Sequence, residues 1–389
     1  MNSKRLFQLV ILLLLNSFSF SILAQPDFIP FRQGDKWGFA NGRRQIVISI
    51  EFDETSPFSE DRARIKRGER YGFIDLKQRE IVPYKYYYAS PFKNGISKVL
   101  INGRYGLINQ AGEEITPMHY EEISFFRDGL ARVRYKGKYG FINQSGKIVI
   151  PIRYEGASNF NEQTAAVQFE GRWGFINADN QEFIRAKYDF ALNFREGLAA
   201  VKSKGRWGFI NTKGELVIPF KYSAVESFFE GLARVETNGR WGFVNKYGKE
   251  TLPLFESAIS FAEGLAAVNI NGLWGYINKK AQLAIDANYS YATSFRDGMA
   301  RVRKGGTWGM IDKNGNTIIS FIYQKIGHFQ EGLAPVLKEG RWGFINKSGK
   351  LVIPLRYESV NGFNQGMARV YKNGKVGYIN KKGVEYFKN

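Results

Sequence analysis

The chain has 389 residues, of which 44% are apolar and 15% aromatic, enough to build a continuous core and to exclude a disordered or low-complexity type. Cysteine is absent, which excludes a disulfide framework, a thiol nucleophile and a lipid-modified cysteine. The formal net charge of +20 turns the search for partners toward anionic ones.

At the N-terminus, Lys4 and Arg5 precede an apolar run from Leu6 to Leu15, followed by a Ser/Phe-rich stretch that ends at Ala24-Gln25. This pattern predicts an export signal over residues 1–24, cleaved after Ala24. Gln8, Asn16, Ser17, Ser19 and Ser21 interrupt the roughly 20 apolar residues that a retained spanning helix needs. Loss of Lys4 and Arg5 with the signal leaves a charge of +18 (20 − 2). The expected location is therefore outside the cytoplasm: periplasm, cell surface or medium. In an oxidising space, a chain without cysteine must draw its stability from packing.

Residues 25–389 repeat from end to end. An aromatic-Gly step recurs at Trp37, Tyr71, Tyr105, Tyr139, Trp173, Trp207, Trp241, Trp274, Trp308 and Trp342, and as Val376-Gly377 at the end. Its glycines include Gly174, Gly208 and Gly242. Successive steps are 34 residues apart, except for the 33 between Trp241 and Trp274. A fixed period of this size marks an array of small units, each of which needs its neighbour to bury an apolar face. No linker or change of composition divides the array, so a single eleven-unit domain is expected.

The unit from Gly231 to Pro253 gives the local prediction. Leu232 to Thr237 reads as a strand, Asn238-Gly239 as a two-residue hairpin turn, and Arg240 to Asn245 as the returning strand. Asn245-Lys246-Tyr247-Gly248 reads as a type I turn closed by a left-handed glycine. A third strand follows, clearest at Lys147 to Pro151, where the proline suggests a strand end or an edge. Each unit is thus expected to be a three-stranded meander, joined to the next by a connector containing Pro219, Tyr222, Phe228, Glu230 and Gly231 or their equivalents. The missing residue of the short repeat falls between Pro253 and Phe261, in the connector, where a loop would absorb it.

The hairpin register predicts two faces. Glu236 opposes Trp241, Val235 opposes Gly242, Arg234 opposes Phe243 and Ala233 opposes Val244. One face is small and smooth, suited to a second sheet lying close, with the glycine making room for it. The other carries the aromatics, with Arg crossing Phe. Arg132, Arg301 and Arg369 occupy the place of Arg234, so these four are the candidate ligand-binding residues, with cation–π contacts of about 0.5–1 kcal/mol each. An open aromatic face would offer a platform to sugar rings or unstacked bases. A closed one would be core, and a ring in every unit is what core packing alone requires.

These units, with GRWGFIN, K-x-V-I-P-x-x-Y and F-x-E-G-L-A-x-V, resemble the WG repeat, also called the KWG repeat, of bacterial proteins. The resemblance covers eleven units and implies an exported or envelope-associated β-repeat protein with no shared catalytic residues. Departures are Tyr for Trp at 71, 105 and 139, Val376 at the end, and Asp61 and Gln163 where the connector glycine belongs. The fold class expected is all-β, with tandem three-stranded meanders in an open superhelical, solenoid-like stack. The alternative is a propeller-like ring. The stack is preferred because propeller blades usually have four strands and rings four to eight blades, and because closure would need an offset frame, whereas the chain begins with a first strand near Phe28 to Arg32 and ends just after a third, near Glu385 to Phe387.

Chemistry finds little purchase. His119 and His328 lie in different units without zinc spacing, so no metal and no cofactor is expected. No G-x-S-x-G elbow occurs. Asp312-Lys313-Asn314-Gly315-Asn316 resembles the start of a calcium loop but lacks the downstream acid, and Gly315 matches a turn glycine of other units. Glu230, Glu263, Glu331, Asp128 and Asp297 recur at one connector place, which points to a turn role rather than to paired glycosidase carboxylates. The expectation is a non-enzymatic exported binding or scaffold protein. Its partner is an envelope protein or an acidic polysaccharide; peripheral contact with acidic lipid is a further anionic option, and nucleic acid ranks last. A carbohydrate-active enzyme on a β-repeat scaffold is the alternative.

Overall fold

The computed structural model describes residues 28–388; the export signal read at residues 1–24 lies outside them. The described residues contain only strands and turns, arranged as eleven sheets. A typical sheet has four strands, as in Ala224–Val225, Leu232–Thr237, Arg240–Asn245 and Glu250–Phe255, paired in that order. The last three are the predicted meander, and all four predicted cross-strand pairs of the hairpin are observed.

The first strand corrects the three-strand count. It consists of two connector residues, reached one residue after the last strand of the preceding unit: Leu216–Tyr222, then Ser223, then Ala224–Val225. Each unit therefore starts its sheet with residues of the connector.

Three tight turns hold each sheet. Asn238 and Gly239 have φ of 51° and 76°, the doubly left-handed geometry of a type I′ hairpin, whose twist matches that of the flanking strands. Glu230 and Gly231, with φ of 53° and 85°, form a second turn of this kind, closed by reciprocal hydrogen bonds between Phe229 and Leu232. The third is as expected: the Gly248 N–H donates to the Asn245 carbonyl, and Asn245 Oδ1 accepts from the Tyr247 and Lys249 N–H groups.

Neighbouring sheets pack the aromatic face of one unit on the smooth face of the next. Leu198, Phe209, Ile218 and Tyr222 form one buried cluster with Ala233, Val235 and Val244 of the following unit. Leu232, Phe243 and Phe255 meet Ala266, Val268 and Ile277 in the same way. The aromatic face is thus mostly core, and the repeat of one ring per unit is a packing period.

The glycine of the aromatic-Gly step has a different reason from the one expected. A Cβ on Gly208 would lie 2.6 Å from the Ile218 carbonyl oxygen, and one on Gly174 2.5 Å from that of Ile184. The crowding comes from the last strand of the same sheet, which passes over the glycine with register shifts on either side of Phe209 and of Phe175. The short repeat corrects another expectation. Phe243 pairs with Thr251 and Val244 with Glu250, so one of the two shifts is gone and the last strand has six residues instead of seven. The deletion is absorbed as a lost bulge inside a strand, not in the connector. The proline expectation holds: Pro151 lies within Ile148–Tyr154, an edge strand.

The open stack is overturned, because the eleventh sheet meets the first and the alternative, a propeller-like ring, is observed. Phe387–Lys388 adds to Ile29–Gln33 as a parallel strand, pairing Arg32 with Phe387 and Gln33 with Lys388. The Arg32 N–H donates to the Tyr386 carbonyl at 3.2 Å. Trp37 meets Tyr378 edge-on at 5.8 Å, and Phe31, Ala40, Met367 and Tyr386 share a buried cluster. The last unit keeps only a three-stranded sheet because its final residues cross to the first.

Candidate binding site

The predicted ligand ladder of arginines is mostly spoken for. Arg132 Nη1 donates to the Ala157 carbonyl at 2.6 Å and Nη2 to Glu122; Arg234 donates to the Ala258 carbonyl and to Glu226. Arg301 Nη1 donates to the Ile326 carbonyl at 2.8 Å, and its Nη2 lies 3.1 Å from His328 Nε2. In every case the carbonyl belongs to the two-residue first strand of the next sheet. Arg64 reaches Ala89 and Lys98 reaches Ile123 in the same manner. These cations are struts between sheets, so Arg132, Arg234 and Arg301 already have partners within the ring. The register pairs Arg with Phe, but the guanidinium itself lies over the ring of the aromatic-Gly step: Arg234 is 4.0 Å from the Trp241 centroid and Arg132 5.1 Å from that of Tyr139.

Arg369 differs. The sheet after it is the first, whose added strand is the crossing tail rather than a connector pair. Arg369 is exposed, with no side-chain hydrogen bond or ion pair among the described residues.

The aromatic markers separate by depth. Phe209 and Phe243 are buried, whereas Trp173, Trp207, Trp241, Trp274, Trp308 and Trp342 are half-buried, and Trp37 is covered by the closing unit. Where the first strand brings another aromatic, a three-ring cluster of tilted and edge-on contacts forms across two units. Phe190 lies between Trp173 (4.9 Å) and Trp207 (5.9 Å), and Tyr291 between Trp274 (6.1 Å) and Trp308 (5.5 Å). The middle rings remain 41% and 48% exposed. Lys202 lies 5.8 Å from the Trp207 centroid. These clusters are where the aromatic repeat meets solvent.

The connector carboxylates do more than make a turn. Glu60 accepts from the Asn94 and Gly95 N–H groups, Glu162 from Glu196 and Gly197, and Glu230 from Glu263 and Gly264. Asp128, Glu196, Glu263 and Glu331 likewise reach the turn of the following unit. A lysine of that unit completes the node, as in Lys246–Glu196 at 3.1 Å and Lys279–Glu230 at 3.2 Å. Burial pushes the Glu196 and Glu230 carboxyls up, but the turn N–H groups and the lysines outweigh it and hold both below the ordinary glutamate range. The sequence signal was available in the 34-residue spacing of Glu and Gly, but its meaning depends on which units are neighbours.

Asp312 uses one carboxylate oxygen to accept from the Asn314 and Asn316 N–H groups, the same turn that Asn245 makes. His119 packs between Tyr120 and Tyr135, and burial lowers its imidazole. Among the described residues, no cluster of three or more His, Asp or Glu side chains is placed to hold a metal. No helix among them is long and apolar enough to cross a membrane.

The WG containing repeat matches ten successive segments, from residues 37–71 through 342–375. The chain belongs to the WG-repeat family. Among curated proteins, no sequence matches it. It is similar in fold to a eukaryotic initiation factor, at 11% identity over 84% of this chain and 100% of that one, with a TM-score of 0.48. The extracellular domain of a hybrid two-component system from B. thetaiotaomicron aligns at 9% identity over 88% of this chain and 58% of that one, with a TM-score of 0.25. PorZ, a surface component of the type-IX secretion system of Porphyromonas gingivalis, aligns at 10% identity, 92% and 58% coverage and a TM-score of 0.26. At these scores the likenesses carry no argument about what this WG-repeat ring binds or where it works.

Proposed function

We propose that the WG-repeat ring is a non-enzymatic binding or scaffold protein of the cell envelope that engages an extended acidic partner, an anionic polysaccharide before an acidic protein. The observation that carries this reading is how its carboxylates are used. Cations outnumber acids 56 to 36, and the recurrent connector acids are engaged inside the ring as turn caps and lysine partners. These acids are spent at the joints between units, so the excess of cations is left to set the sign of the outward field, and it repeats at the spacing of the units. Exposed rings at Phe190 and Tyr291 add apolar faces that suit the C–H faces of sugars. The periodic acids also make poor general acids, since Glu196 and Glu230 are held ionised. Export, read from the Lys4-to-Ala24 pattern, supplies the compartment.

Retention of the folded protein on an acidic polysaccharide column should fall steeply as salt rises from about 50 to 500 mM, because exposed charge pairs are screened over a Debye length of about 10 Å at 0.1 M. Binding indifferent to salt would remove the electrostatic reading. Turnover of a polysaccharide by the purified protein would replace it with catalysis.

A further inference from the structure

One cleft departs from the repeat. It has a volume of about 260 Å³ and is lined by residues of four successive units: Arg127, Asn159, Asn161, Asn193, Arg195 and Ser227. The buried rings of Phe160 and Phe194 form its floor. The place of Asn159 and Asn193 is held by Pro57, Pro91 and Phe125 before them and by Ser227, Ser260, Ser294, His328 and Gly362 after them. The chain therefore sets two amides in adjacent units at one part of the ring, where most other units carry a small or apolar residue.

The polar groups are fixed, and several are unspent. Asn161 Nδ2 donates to the Phe194 carbonyl and Asn193 Nδ2 to the Asn159 carbonyl, each at 2.7 Å, so these amides tie neighbouring connectors together. Asn159 Oδ1 is buried and accepts no hydrogen bond. Arg195 lies flat on Phe229, 3.4 Å from the ring centroid, which sets its direction while leaving its N–H groups without an acid. Arg127 is exposed and is likewise in no ion pair among the described residues. The acids next to these residues in the chain, Asp128, Glu162 and Glu196, are engaged by the turns of the following units.

We infer that this cleft binds a single sugar-acid residue, with the carboxylate between Arg127 and Arg195 and a ring hydroxyl donating to Asn159 Oδ1 once the amide turns toward the cleft that its residue lines. Two guanidinium groups without acids call for an anion, and guanidinium recognises carboxylate through paired donors. A buried acceptor without a donor costs stability until one arrives, and a carboxylate, a chloride or a sulfate offers it none. The ligand must therefore carry hydroxyls beside its charge. The volume lies just under the usual range of small-ligand sites, roughly 300–1,000 Å³, which suits one monosaccharide. This inference rests on the anionic-polysaccharide reading above and names the unit of the polymer that the ring would grip.

Titration calorimetry of the full folded chain with glucuronate, glucose, sodium acetate and a glucuronate-containing tetrasaccharide tests it, with polysaccharide-column retention measured in parallel. Glucuronate should bind while glucose and acetate do not. Arg195→Gln and Asn159→Ala should each weaken it about tenfold or more, and Lys213→Gln, outside the cleft, should leave it unchanged. Binding by the tetrasaccharide alone would place the site on residues within a chain and still support the inference. Acetate binding as tightly as glucuronate, with Asn159→Ala silent, would reduce the cleft to an anion site and overturn it. Loss of every small-ligand signal with column retention intact would overturn it too, while sparing the broader reading. Loss of both would sink the two together.

Discussion

Gln163 and Asp61 hold φ of 59° and 60°, a conformation that most units give to glycine. A side chain there costs roughly 1 kcal/mol, and nothing about the turn requires one, since the Gln163 N–H already donates to Asp128. Gln163→Gly should therefore stabilise the protein by about 1 kcal/mol, read as a rise in denaturation midpoint with an unchanged slope. Gly208→Ala should do the opposite, costing about 1–3 kcal/mol because the new methyl would meet the Ile218 carbonyl. A neutral result at Gly208 would show that the last strand can shift away freely. The Asn-Gly turns, the left-handed closing glycines and the hairpin register were all legible in the sequence, because each follows from local backbone chemistry. The Glu230-Gly231 hairpin was not, since glutamate is a rare choice at positive φ and its reason lies in the next unit.

At the scale of the element, that reason is a staple: a turn of one unit is capped by a carboxylate of the unit before. Glu230→Ala should cost about 1–2 kcal/mol through the loss of two charge-assisted hydrogen bonds to the turn, and Glu230→Gln should recover part of it. The same contacts set a pH dependence. Because Glu196 and Glu230 have lowered folded values, their contribution is present above the ordinary glutamate value of 4.5 and is lost as pH falls through the folded values. His328 adds a separate, earlier loss. Burial and the Arg301 and Arg296 charges lower its imidazole, so the unfolded chain takes up the proton first and stability declines as pH drops below about 6.5. Thermal melts of His328→Gln should lack part of the decline between pH 6.5 and 5 yet keep the acid one. Coincident profiles would show that the imidazole is not responsible. The arginine struts were half legible: the register was right, but their destination, a two-residue strand from the connector, is too short to leave a pattern.

For the whole molecule, the period gave units and their mutual dependence but not their curvature. Closure rests on Phe387–Lys388 meeting Arg32–Gln33, and a pairing of two residues has no periodicity from which to be read. Removal of residues 384–389 should therefore open the joint: the scattering profile should lengthen and the melting temperature fall by several degrees, since Tyr386 and Phe387 are both buried there. A truncated protein with the compactness of the parent would show that packing of Trp37 on Tyr378 suffices without the tail.

The parallel pairing of Phe387–Lys388 with Ile29–Gln33 also brings the C-terminal end of the folded chain to the far end of its first strand, one strand length, roughly 16 Å, from residue 28. Linear order is then a matter of genetic convenience for this fold. A circularly permuted gene, with residue 388 joined to residue 28 through a short flexible peptide and new ends cut at Asn271-Gly272, would specify the same circle of blades.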